Sequence, residues 1–310
     1  MADLFSRLPS DVSIMEVGPR DGLQNEKTVV ETAAKLAFIH GLAQAGLRRI
    51  EVTAFVNPRW IPPLADHAEV ARAASRSETA TCAALVPNMK GYEGAKAAGV
   101  AEVSLVLAAT DAHNRKNINA STDEALARYV EVAERARADG MPFRGYVSCA
   151  FGCPYEGEVD YAKVVHVARA FMELGAYEVS IGDTIGVGNP RQCAELISAV
   201  QGEVPLDRVA LHLHDTRGTA LANVVAGLEC GVRAFDSAAG GLGGCPYAPG
   251  ASGNLATEDL VYMLEHMGVK TGVDLEALCD VSLAMERLLG RRSPSKVLGT
   301  ARSAREVRGS

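Results

Sequence analysis

The segment Val12-Ser-Ile-Met-Glu-Val-Gly-Pro-Arg-Asp-Gly-Leu-Gln24 decides the fold. Its first six residues read as a short buried strand, and Gly18-Pro19 ends it. No G-x-G-x-x-G fingerprint follows, so the strand does not open an open, doubly wound dinucleotide-binding sheet. Seven more β-rich stretches come after it: Arg49–Phe55, Thr81–Val86, Glu102–Ala108, Phe143–Ala150, Glu178–Gly182, Val209–His214 and Ala234–Ala238. Helical segments of similar length separate them. A helix after each of eight strands predicts a closed parallel barrel, an α/β fold of the (β/α)8 TIM type. The barrel is expected over about residues 12–268 of a single domain spanning 1–310, with a short helical cap over about 269–298.

The helices carry their own signals. Thr28–Ala45 is read with Glu31, Lys35 and Gln44 outward and Ala34, Leu36, Ile39 and Leu42 inward. Thr122–Ala138 has Asp123 and Glu124 in its first turn, where negative charge favours the helix dipole. Tyr161–Leu174, Leu221–Cys230, Thr257–His266 and Leu275–Leu289 follow the same pattern. The polar tail Ala301–Ser310 is expected to fray.

Composition bounds the function. The chain has 310 residues, 48% of them hydrophobic and only 5% aromatic, which suits Val- and Ala-rich strands covered by helices. The net charge of −7 argues against nucleic acid as the main partner. Seven scattered cysteines are not a secreted disulfide framework and point to a reducing cytoplasm. MADLFSRLPSDVSIMEVGPR has no signal-type apolar stretch, and no segment is long enough to cross a bilayer.

In a barrel, chemistry sits at the carboxyl ends of the strands. Arg20 and Asp21 follow the first strand, Asp183 ends the sixth, and His212 and His214 end the seventh. Cys245 and Asn254 lie in the glycine-rich run Gly240–Asn254 after the eighth. His212 and His214 are two apart on a strand and face the same way. With a carboxylate from Asp21 and an amide oxygen from Asn254, they make an N,O donor set. That set suits an octahedral Mg²⁺ or Mn²⁺ and fits a closed zinc site poorly. The bland alternative is that the histidines only hydrogen-bond within the barrel. Arg20 reads either as an ion-pair partner of Asp21 or as a fixed cation facing an oxyanion. Glu51, a carboxylate inside an apolar strand, needs a partner, and Arg20 is the natural one. Asp183 reads as a contact to substrate or a strand-end cap, and Lys116–Asn117 as an anion contact or a solvated loop. Cys149 and Cys153 lack a second ligand pair for zinc. Cys82, Cys193, Cys230 and Cys279 read as core filler.

Six motifs carry a resemblance. RDGLQ at Arg20–Gln24 and HLHDT at His212–Thr216 are similar to those of a metal-dependent barrel superfamily that includes isopropylmalate and homocitrate synthases. GYVSCAFGCPYEG at Gly145–Gly157 and GGLGGCPYAPGASGN at Gly240–Asn254 resemble the hydroxymethylglutaryl-CoA lyase branch, as do KNIN at Lys116–Asn119 and GDTIGVG at Gly182–Gly188. The resemblance runs from about Val12 to Val297. It implies divalent-metal-dependent cleavage of (S)-3-hydroxy-3-methylglutaryl-CoA to acetyl-CoA and acetoacetate, as in leucine degradation, by a homodimer. It implies Asp21, His212, His214 and Asn254 as metal ligands, Arg20 facing the enolate oxygen and Cys245 as acid/base. Gln24, Asn117, Tyr146, Ser180, Asp183 and Thr184 would line the site, with Glu51 in support. One departure is visible: Arg217-Gly218-Thr219 follows HLHDT where the lyases carry an aromatic residue and then Gly-Gln, which bears on the substrate pocket.

The implied chemistry is a retro-Claisen cleavage. A base, Asp21 or His212, takes the proton of the substrate's tertiary hydroxyl. The C2–C3 bond then breaks to a ketone and a thioester enolate, and Cys245 protonates the enolate carbon. A thiol near its ordinary pKa of about 8.5 can give or take a proton near neutral pH. The glycine-rich loop would close and exclude water. The rival readings are a lyase for a longer (isohexenyl) 3-hydroxyglutaryl-CoA, a Claisen-condensing acyl-CoA synthase and a catalytically idle acyl-CoA-binding barrel.

Overall fold

Short strands that are buried on both faces pair with one another, and here they close into a ring in the computed structural model of the chain. The structure describes Phe5, residues 8–244 and residues 253–308. In chain order the elements are β1 Ser13–Glu16, α1 Thr32–Gln44, β2 Arg49–Ala54, α2 His67–Ala74, β3 Thr81–Leu85, α3 Met89–Ala98, β4 Glu102–Ala108, α4 Asp111–Ile118 and α5 Thr122–Asp139. They continue with β5 Phe143–Ser148, α6 Tyr161–Leu174, β6 Glu178–Asp183, α7 Pro190–Val200, β7 Val209–Leu213, α8 Ala220–Cys230, β8 Ala234–Ser237, α9 Thr257–His266, α10 Leu275–Leu289 and α11 Lys296–Arg308. All eight strands pair in parallel and in sequence order, and β8 returns to β1 through Met15↔Asp236 and Glu16↔Ser237. The expected (β/α)8 barrel is the observed one.

The helices cover the barrel through apolar stripes. On α6, Val164, Val167, Ala168 and Phe171 recur at helical spacing and are buried. Each large side chain so buried contributes about 1.5–3 kcal/mol. On β4, Val103, Leu105 and Leu107 join this layer, while the alternate Glu102 and Ser104 are buried polar groups. Several strands carry charge on this second parity: Arg49, Glu51, Arg144, Glu178 and Asp236.

Three sequence expectations are corrected. Lys35 of α1 is buried rather than outward: its ammonium donates to Asp66 Oδ1 at 2.6 Å and to Pro63 O at 2.5 Å. Periodicity could not reveal a partner 31 residues away. The tail is helical, as α11, through Arg308. Asp259 accepts from the Lys296 and Val297 amides, and Arg302 and Arg305 pair with Glu286 and Asp280 of α10. The segment around Lys116 and Asn117 is a helix, α4, not a loop. It is polar almost throughout. What anchors it is Asn114, which bonds both backbone groups of Ala108 and the Thr122 hydroxyl.

Candidate active site

The site starts where β1 ends. After Val17 the chain turns through Gly18–Gly22 so tightly that the amides of Arg20, Asp21 and Gly22 all donate to Val17 O. A Cβ on Gly22 would stand 2.7 Å from Leu242 Cβ, so glycine lets this turn touch the root of the glycine-rich loop. Arg20 and Asp21 are thereby held at the barrel mouth.

Two strands round the barrel from β1, beyond β8, His212 and His214 alternate with buried Leu213 at the end of β7 and turn toward Asp21. One ligand atom from each of Asp21, His212 and His214 lies within 4.8 Å of the others. The two Nε2 atoms are 3.4 Å apart, and His212 Nε2 is 4.0 Å from Asp21 Oδ2. Burial, then the neighbouring His212, pushes His214 down to about 4, so its ring is neutral at neutral pH. Burial works against ionisation of Asp21, but the Arg20 guanidinium, His212, His214 and the Asn254 amide together hold its carboxyl well below the usual range. Asn254 sits on the returning limb of the glycine-rich loop, bridged to His214. Its Nδ2 donates to Asp21 Oδ2 at 2.8 Å and to Leu242 O at 3.1 Å, so ligation through Oδ1 needs the amide turned over. Gly243, at φ +104°, has Asn254 Nδ2 only 2.9 Å from where a Cβ would be. Cys245 lies outside the described residues.

Arg20 is buried between two carboxylates. Its Nε donates to Glu51 Oε2, and its Nη1 donates to Asp21 Oδ1 at 2.5 Å. These charges, outweighing the cost of burial, raise its pKa further and keep it a fixed cation. The Tyr146 ring lies 5.6 Å from its Cζ and meets the His212 ring edge-on at 5.9 Å.

The other residues singled out by sequence take different places. Ser180 is buried below the histidines and donates to Asp236 Oδ2 at 2.7 Å. Asp183 is buried and accepts from the Val187 and Gly188 amides, which makes it the cap of its own loop. Thr184 Oγ1 accepts from the Cys149 amide, and Cys149 adopts a left-handed φ of 56° beside it. Gln24 is half-buried just after the Asp21 turn, and Asn117 is exposed on α4. Cys149 and Cys153 are buried with Ala108. Arg217, the departure from the lyase pattern, donates to Ile185 O and Gly186 O and braces the neighbouring loop.

Sequence reading missed two groups. Asp236 and Arg144 form a buried pair: Arg144 Nη1 and Nη2 reach Asp236 Oδ1 at 2.9 and 3.0 Å. Burial alone would raise the Asp236 pKa, but Arg144 and His212 bring it down to about 2. Glu16 and Glu258 hold the root of the glycine-rich loop, with Glu16 accepting from Gly18 N and Ala239 N and Glu258 from Gly240 N. The signal that singled out Glu51, a charge inside an apolar strand, was equally present at Glu16, Arg144 and Asp236.

The donors fit a divalent cation. Two imidazole nitrogens face each other at 3.4 Å, and a carboxylate oxygen completes a set of hard and borderline donors. A closed parallel barrel with such a cluster at the carboxyl ends of its strands defines a barrel protein equipped to hold a metal ion. The HMGL-like family model matches residues 11–284, and the chain belongs to that family.

Individual relatives agree. The mitochondrial hydroxymethylglutaryl-CoA lyase of Gallus gallus is 51% identical over 289 residues, covering 93% of this chain and 97% of that one. The HMG-CoA lyase structure from Bacillus subtilis superposes with a TM-score of 0.93 at 48% identity, covering 94% and 98% of the two chains. An HMG-CoA lyase from Acinetobacter baumannii, solved with coenzyme A and 3-methylmalate, gives 0.88 at 40% identity over 93% and 94%.

Proposed function

We propose that this chain is a divalent-cation-dependent carbon–carbon lyase that cleaves (S)-3-hydroxy-3-methylglutaryl-CoA to acetyl-CoA and acetoacetate. The observation that carries the reading is the convergence of Asp21, His212 and His214 beside the buried Arg20, in a chain half identical to such a lyase. Asp21, His212, His214 and Asn254 hold the cation, Mg²⁺ or Mn²⁺. When bound, a divalent ion lowers the pKa of a hydroxyl and polarises a carbonyl.

The chain's own groups do the rest. Of the two candidate bases, Asp21 takes the hydroxyl proton, because its carboxylate keeps a second oxygen beside the ligating one, whereas His212 offers its acceptor nitrogen to the cation. Arg20, fixed by Glu51, faces the oxygen on which enolate charge develops. Cys245 gives the proton to the enolate carbon. Gln24, Asn117, Tyr146, Ser180, Asp183 and Thr184 line or brace the acyl-CoA site. The enzyme acts as a cytoplasmic homodimer in leucine degradation; among the described residues no helix is long and apolar enough to cross a membrane.

The test is a side-by-side assay of the methyl substrate and its isohexenyl analogue, reading acetyl-CoA release. The reading predicts efficient cleavage of the methyl compound. A preference for the longer one, or condensation without cleavage, would overturn it.

A further inference from the structure

We propose that Asp236 is a positioning residue for this site: it holds the hydrogen of His212 on Nδ1, so that the Nε2 lone pair faces Asp21 and His214. This rests on the reading of those three residues as the cation cluster. The register makes His212 and Asp236 direct neighbours across β7 and β8. Asp236 Oδ2 lies 3.3 Å from His212 Nδ1, while Nε2 is the nitrogen turned toward His214 and Asp21.

The two oxygens of Asp236 are divided between tasks. Oδ1 accepts both guanidinium hydrogens from Arg144. Oδ2 accepts from Ser180 and is presented to the ring. A carboxylate paired in this way has no proton to give, so the hydrogen in the Asp236–His212 contact belongs to Nδ1. Neutralising Arg144 is not by itself a sufficient role, because Glu178 Oε1 already stands 2.9 Å from Arg144 Nη2. Arg144 is itself fixed, fully buried, with its guanidinium 4.7 Å from the Tyr146 ring centroid and a bond to the Tyr146 hydroxyl. Partners that orient a ligating imidazole typically contribute 10–100-fold to metal affinity, about the scale expected here.

Asp236→Asn is a sharp probe. An amide has one oxygen, and the two Arg144 donors claim it. The NH₂ group then faces His212, whose Nδ1 must become an acceptor. The experiment reads the His212 tautomer in long-range ¹H–¹⁵N spectra and Mn²⁺ affinity by calorimetry. It compares the full chain with its Asp236→Asn, Ser180→Ala and His214→Ala variants. The expected result is an Nδ1–H tautomer in the parent, a shift toward Nε2–H in Asp236→Asn, and about 10–100-fold weaker Mn²⁺ binding. Ser180→Ala shifts both in the same direction by less, and it decides the matter if Asp236→Asn does not fold. An unchanged tautomer and Mn²⁺ affinity within twofold, beside a crippled His214→Ala, would overturn the proposal alone. Full Mn²⁺ affinity in His214→Ala would remove the cation-site reading and the proposal with it.

Discussion

Glu16 and Thr257 meet at 2.6 Å across 241 residues of sequence, and through this contact the two loops of the site share one anchor. Glu16 also accepts from Gly18 N, at the turn that carries Arg20 and Asp21, and from Ala239 N, where the glycine-rich run begins.

Burial pushes Glu16 from an ordinary 4.5 up to about 8, and Glu258 up to about 7. A carboxyl raised on folding favours the protonated native state. Its stabilisation is complete below the unfolded value and is lost as pH rises through the folded one. Both groups therefore make the protein less stable between about pH 5 and about pH 8. Glu16→Gln imitates the protonated form and should flatten this decline, as read from melting temperatures across that range. An unchanged slope would show that Glu16 does not titrate there. The depressed Asp21 and Asp236 act oppositely, and their contribution is lost only in acid.

Arg20 serves Glu51 and Asp21 at once through the fork of its guanidinium. A lysine has one ammonium and cannot hold both geometries. Arg20→Lys should keep the barrel and lower kcat about 100-fold, the scale for losing one oxyanion donor, with a much smaller change in KM. Steady-state kinetics check this. Activity within a few-fold of the parent would mean that Arg20 is a structural ion-pair partner and no more.

Cys245→Ser should leave the melting temperature and Mn²⁺ affinity in place and abolish most turnover. A hydroxyl is far less acidic than a thiol and cannot exchange a proton near neutral pH. Full activity of the serine variant would take the thiol out of the chemistry.

The barrel was legible because its strand and helix periods alternate eight times. The cation cluster was legible because RDGLQ and HLHDT each place ligands at a strand end. Asp236 and Arg144 lie 92 residues apart, and only the β5–β6–β7–β8 register brings them below His212. Lys35 and Asn114 escaped for the same reason: their partners are set by packing between elements. The tail read as frayed because its stabilising contacts are ion pairs to α10, which no pattern within the tail itself encodes.

The central claim is that Asp21, His212 and His214 hold a cation that cleavage requires. The direct measurement is acetyl-CoA release from hydroxymethylglutaryl-CoA by EDTA-treated protein, before and after Mn²⁺ is restored, in the parent and in His212→Ala. Almost no release is expected before Mn²⁺, full release after it in the parent, and little recovery in His212→Ala. Undiminished release in EDTA would contradict the claim.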